Sequence, residues 1–274
     1  MSAMVGTPRR AASTLGSLRR VRSLARAELR LLVRNRTAMF TALALPLLTV
    51  AGVNAIGVGE DTEIPITALT VTMLIGFALL YVVYYNLVTA YVARREELVL
   101  KRLRVGELTD AEILGATALP SVVVAMVQIA LAWAVASVAF GLAAPVNAIL
   151  VVVGVAIGVV IFVLLAAAST AITRNVEMAQ VSTLPLLFAC MIFSGMVVPA
   201  ETMPDTMRDV VQFLPLSPVI DLVRLGLTGQ TPAGDTVDFG ASFSEAGFPL
   251  VIASLWIGNG VAAVRRWFRW EPRA

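Results

Sequence analysis

The sequence predicts an all-α polytopic membrane protein with six transmembrane helices, and three observations carry that prediction. Of 274 residues, 58% are hydrophobic and only 14% charged, with a mean hydropathy of +0.86. A soluble domain is roughly one quarter charged because its surface faces water. The charges are also confined, leaving uncharged runs at Thr37–Gly59, Ile64–Ala93, Ile113–Thr173, Met178–Ala200 and Ala246–Val264. Each run can cross a hydrocarbon core of about 30 Å at about 1.5 Å per helical residue. The longest contains Gly141-Leu142-Ala143-Ala144-Pro145, a punctuation that divides it in two. Spans are therefore expected near 38–58, 65–92, 114–140, 147–172, 179–199 and 247–264, with every charged residue outside them.

Several function classes fall away on composition. The single cysteine, Cys190, makes no internal disulfide and no C-x-x-C motif. There is no histidine, which removes the commonest general base and the commonest metal ligand together. No catalytic residue and no metal site are expected.

Residues 1–16, rich in Ser, Ala, Thr and Gly, read as a disordered tail. No short apolar stretch with a small-residue cleavage site precedes the first span, so no cleavable signal peptide is expected. Ser17–Arg36 instead reads as an amphipathic helix. At 100° per residue Leu18, Val21, Ala25, Leu29 and Leu32 share one stripe, while Arg19, Arg26, Arg30 and Arg34 project from another. Such a helix lies in the headgroup layer with its arginines towards anionic lipid. A basic flank that serves topology alone is the alternative.

Orientation follows from the lysines and arginines. Nineteen fall before the first span, between the second and third, at Arg174 and in the tail, against Arg208 and Arg224 on the other side. That other side also holds Glu60, Asp61, Glu63 and the carboxylates between Glu201 and Glu245. The positive-inside rule places both termini in the cytoplasm of a multi-pass protein of the cell membrane. The basic N-terminus is then a topology signal, and no nucleic-acid partner is expected.

The cytoplasmic segment Arg94–Ile113 is longer than a turn between adjacent helices needs. Thr109-Asp110-Ala111-Glu112 has the capping-box pattern just before an apolar run and predicts the start of the third span. Leu98, Leu100 and Leu103 sit among Lys101, Arg102 and Arg104 on a short predicted helix with no lipid or core to cover them, which implies a partner surface. A solvated connector is the competing reading. On the far side, Met203–Gly229 is too apolar for a free loop and too interrupted by Pro215 and Pro218 for a span.

These segments resemble the membrane subunits of ABC type-2 transporters, a permease family that includes drug, lipid and polysaccharide exporters. The likeness is nearest to the antibiotic- and daunorubicin-resistance type. Glu96, Leu100, Leu103, Gly106-Glu107-Leu108 and Glu112-Ile113-Leu114 match its pattern at the second loop. Leu98 stands where many members carry glycine, and Ala116 where many carry lysine. A second stretch matches in Phe193-Ser194-Gly195-Met196-Val197-Val198-Pro199, Met203-Pro204, Phe213-Leu214-Pro215-Leu216-Ser217-Pro218 and Arg224. With the six spans, the likeness covers nearly the whole chain.

The resemblance implies one permease domain over residues 17–264, followed by a basic cytoplasmic tail at 265–274. It implies an elbow helix at Ser17–Arg36 and a coupling helix between spans two and three. Short re-entrant helices are implied between spans five and six. It further implies two copies of a separate ATPase subunit that binds ATP and Mg, and a second permease chain, identical or not. This chain itself has no phosphate-binding loop: its only lysine, Lys101, lacks the preceding glycines. Contact with the ATPase is assigned to Glu96, Leu100, Leu103, Arg104 and Glu107. The leucines would insert into a cleft, with Glu96 and Arg104 at the rim.

A secondary carrier or a channel-like regulatory protein is the alternative. Ion-coupled carriers, however, usually keep an ionisable residue inside the membrane, and the expected spans contain none. The polar residues that remain are mostly expected to bind helix to helix. Candidates for the substrate path are Tyr84, Tyr85, Asn86, Gln128 and Met191. A path lined without charge suits an apolar or amphipathic cargo.

Overall fold

The structure is a computed structural model that describes residues 65–105, 109–197, 203–268 and 270. The first expected span, the amphipathic segment and the N-terminal tail lie outside the described residues. Among the described residues, five helical stretches are long and apolar enough to cross a membrane: Ile66–Glu96, Asp110–Val138, Ala148–Ser169, Val176–Phe193 and Gly247–Trp267. They correspond to the second through sixth expected spans.

The second span is the axis of the bundle. It comprises α1 (Ile66–Phe77), a π-helical segment (Ala78–Tyr85) and α2 (Asn86–Glu96) without interruption. Most of it is buried within the chain, whereas the other four spans leave most of their surface open. The π winding is seen at its end, where the Asn86 amide donates to the Tyr81 carbonyl five residues back. Such winding is rare, and it occurs mostly as single turns at functional sites. After Glu96 the chain turns through Leu98 into α3 (Val99–Val105). Helix α4 (Asp110–Ala139) opens with the expected capping box: Thr109 Oγ1 accepts from the Glu112 amide at 3.3 Å, and Glu112 Oε2 accepts from the Thr109 amide at 2.7 Å.

The expected break is also found. Gly141 has φ 63°, and α5 (Ala148–Ser169) begins after Asn147, whose Oδ1 accepts from the amides of Ile149 and Leu150. The fifth span needs correction. It was expected near 179–199, but it runs as α6 (Val176–Ser182) and α7 (Leu184–Phe193) and stops at Ser194. Pro185 has no amide hydrogen to continue a helix, which places the interruption at Thr183. Gly195, at φ 78°, then turns the chain so that Met196 is fully buried against Gly76. The family's Ser-Gly motif thus ends the helix and docks the next side chain on the central span.

Next come α8 (Asp205–Val211), α9 (Ser217–Thr228), α10 (Phe239–Glu245) and α11 (Gly247–Trp267). Helix α9 has twelve residues and spans about 18 Å, little more than half a hydrocarbon core. It lies antiparallel on the first half of α5, buried along nearly its whole length. Its C-terminal end is fixed by the Asn147 amide donating to the Gly226 carbonyl at 2.8 Å. Although it lies outside the expected uncharged spans, α9 carries half-buried Asp221 and buried Arg224 into the bundle beside α5.

Glycine makes this packing close. A Cβ on Gly226 would lie 2.6 Å from Val151 Cγ2 and 2.7 Å from the Asn147 carbonyl oxygen. One on Gly158 would lie 2.7 Å from Leu79 Cδ1 and 3.0 Å from Val219 Cγ1. Helices in a bilayer gain little from burying apolar surface against each other, so close backbone approach at small residues is what associates them. Gly226→Ala should therefore destabilise the fold by about 1–3 kcal/mol, seen as a lower melting temperature in detergent. Gly258→Ala on α11, where nothing among the described residues lies within 4 Å of the added carbon, should be neutral or stabilising by under about 1 kcal/mol. Equal effects at both positions would refute this packing.

Candidate functional site

The end of the bundle that carries α3 is built around the last turns of α2. Its buried residues are Leu87, Val88, Tyr91, Val92 and Arg95, a single stripe at helical spacing. Arg95 thus continues the core face and is 1% exposed. A buried guanidinium is costly unless its donors are met. Here Nη1 donates to the Thr170 carbonyl at 2.8 Å, and Nη2 donates to those of Thr173 at 2.5 Å and Arg174 at 3.1 Å. These carbonyls lie at and just beyond the C-terminus of α5. Helix-end carbonyls have no intrahelical donor and carry the negative end of the helix dipole. The cation therefore caps a helix from a later part of the chain.

The surrounding groups extend this junction. Thr173 Oγ1 is 2.8 Å from Ser182 Oγ and donates to the Ser169 carbonyl at 2.9 Å. Asn175 starts α6 by accepting from the Met178 amide at 2.8 Å. Ser169 Oγ is 3.0 Å from the Tyr84 hydroxyl in the π-helical segment, and the Tyr84 ring packs edge-on against Phe162. On the other flank the Tyr91 hydroxyl donates to the Leu114 carbonyl of α4 at 2.9 Å. The Tyr91 ring meets Phe268, just past α11, at a centroid distance of 6.2 Å. The end of α2 is thus tied to α4, to α5 and to the close of α11.

The turn into α3 is strained. Leu98 has φ 60°, a left-handed conformation that costs a residue with a Cβ about 1–2 kcal/mol. It occupies the position just past a helix C-cap where glycine is favoured. That is the position where many members of the resembled family carry glycine. The Leu98 amide donates to the Arg95 carbonyl at 3.1 Å, and its own carbonyl accepts from the Arg102 amide at 3.1 Å. The turn and the buried arginine are one local unit.

The sequence-assigned contact residues do not form one surface. Glu96, Glu97 and Leu98 are exposed, and Leu103 is half-buried. Leu100, read as an anchor for a partner, is fully covered by its own chain because it points back from the first turn of α3. The Arg104 side chain and Glu107 lie outside the described residues. Among the path candidates, Tyr84 is buried with its hydroxyl paired, while Tyr85, Asn86 and Met191 are half-buried. Gln128, in the middle of α4, is 4% exposed, and among the described residues neither end of its amide has a hydrogen-bond partner. Arg95 and Ser169 carry most of the junction and were not singled out from sequence. The i, i+4 step from Tyr91 to Arg95 was the available signal.

A protein-family model described as ABC-2 type transporter matches residues 19–228. No curated protein matches the chain. The family match covers α1 to α9 as described above, including the turn into α3, the Ser-Gly stop after α7 and the half-length α9, and on that match this chain belongs to the ABC-2 type transporter family of membrane transport subunits.

Proposed function

We propose that this chain is the permease half of an ABC exporter, driven by a separate ATPase subunit present in two copies that hold ATP and Mg. In this reading α3 is the coupling helix seated on that ATPase. A second permease chain completes the substrate path, and the cargo is an apolar or amphipathic molecule taken from the cytoplasm or the inner leaflet. The observation that supports it most is the placement of α3. A short helix projects at one end of the bundle between two spans, with exposed Leu98 and half-buried Leu103 beside exposed Glu96, Glu97 and Arg102. Apolar side chains ringed by charge are the usual make-up of an anchored contact. With Leu100 buried in its own chain, Leu103 and Leu98 are the anchors, and Leu100 holds α3 in place. Tyr85, Asn86 and Gln128 are proposed for the path, Gln128 because its amide is unmet among the described residues. The paired Tyr84 positions the helix instead.

Leu103→Asp should abolish co-purification of the ATPase while leaving membrane insertion and melting temperature near wild type, because no span is touched. Loss of an apolar anchor costs about 2 kcal/mol or more at an interface. Full retention of the ATPase by this variant would sink the assignment of α3.

Leu98→Gly separates strain from contact. Relief of the left-handed backbone should raise stability by about 1 kcal/mol, read as a higher melting temperature. Loss of the side chain should weaken ATPase retention. An unchanged melting temperature would contradict the strained turn, and unchanged retention would remove Leu98 from the contact.

A further inference from the structure

Helix α3 is covalently continuous with α2 and close to α4, so a push on α3 reaches those spans through the backbone. Helices α5 and α6 have no such link. Their junction, Thr170–Asn175, meets the α3 end of the bundle at the Arg95 guanidinium, which donates to the carbonyls of Thr170, Thr173 and Arg174. Arg95 also carries the carbonyl to which the Leu98 amide is bonded, so its backbone belongs to the strained turn and its side chain to the far helix. A guanidinium is a rigid planar fork, and one that meets several fixed carbonyls resists rotation as well as separation.

From that junction two hydrogen-bonded routes lead inward. Ser169, one residue before Thr170, holds the Tyr84 hydroxyl at 3.0 Å in the π-helical part of the central span. Thr173 bridges to Ser182 of α6 at 2.8 Å, one residue before the break at Thr183 and Pro185. Both routes end where a span departs from regular α-helix, and such places can adopt a second arrangement without unpicking a whole helix.

We propose that Arg95 is the positioning residue through which movement of α3 is delivered to the α5–α6 junction, and from there to Tyr84 and to the break in the fifth span. The inference rests on α3 being the ATPase contact, and its test is arranged so that the two can fail separately.

The test uses the full chain assembled with its ATPase, with Cys190→Ala and spin labels at Gln180 of α6 and Leu255 of α11, both exposed. Distances are measured without nucleotide and after trapping with ATP, Mg and vanadate. With Arg95 present, trapping should shift the Gln180–Leu255 distance. Arg95→Gln should keep the ATPase bound and hydrolysing, yet lose more than about half of that shift. Arg95→Lys, which keeps the charge but offers a single point donor, should fall between the two, and it carries the test if Arg95→Gln does not assemble. A full shift in either variant overturns the proposal. So does a variant with a lowered melting temperature and an undiminished shift, which would make the guanidinium a structural cap only. If the parent complex shows no ATPase bound through α3, the failure belongs to the proposed function instead.

Discussion

Within a bilayer no water reaches an unmet peptide group, and most of this structure follows from where the chain leaves straight helix despite that constraint. Each departure is covered from inside the molecule. The carbonyls at the end of α5 are met by Arg95. The amides at its start are met by Asn147, whose Nδ2 donates to Ser242 of α10 at 2.9 Å. The break in the fifth span falls at a proline, which has no amide to satisfy, and the Thr183 hydroxyl donates to the Ala179 carbonyl beside it. Irregular backbone is tolerated here because other helices supply the partners, so the interruptions also decide which helices must be neighbours.

The same constraint explains why α9 is short and yet central. A twelve-residue helix cannot span the hydrocarbon core, and an end left in lipid would expose its terminal groups. Laid against α5, its C-terminal turn accepts from the Val146 and Asn147 amides, and Gly229 at φ 71° ends it. Gly226, Gly154 and Gly158 give the close approach that holds it there. Asp221 and Arg224 enter the bundle on this helix, half-buried and buried respectively, although it lies outside the expected spans.

The second through sixth spans were legible because lipid demands long uncharged runs, and the Thr109 cap and the break at Gly141 were legible because each has a local chemical cause. Which span lies at the centre was not. All are apolar on every side, and lipid and protein interior ask for the same side chains, so hydropathy does not separate a lipid-facing face from a buried one. The depth of α9 was hidden for a related reason: Pro215 and Pro218 mark the stretch as too interrupted for a span, and only its glycine contacts reveal its partner. Arg95 was read as a topology signal within Arg94-Arg95-Glu96-Glu97, although the stripe Val88, Tyr91, Val92 already pointed to it. The left-handed turn at Leu98 had no signal of its own in the residue, only the glycine that many members of the family carry there.

Among the polar groups of the spans, pairing now ranks what composition could not. Tyr84 has its hydrogen bond to Ser169, and Thr72, Thr117 and Thr183 return theirs to carbonyls four residues back. Such groups are satisfied by the fold and need nothing further. Gln128 is different in kind, because its amide is buried and unmet at both ends among the described residues, and such a group costs about 1–3 kcal/mol. In lipid that cost is not relieved by solvent, and leucine would fill the same space without it. That difference in pairing is the ground on which Gln128, and not Tyr84, is proposed for the substrate path.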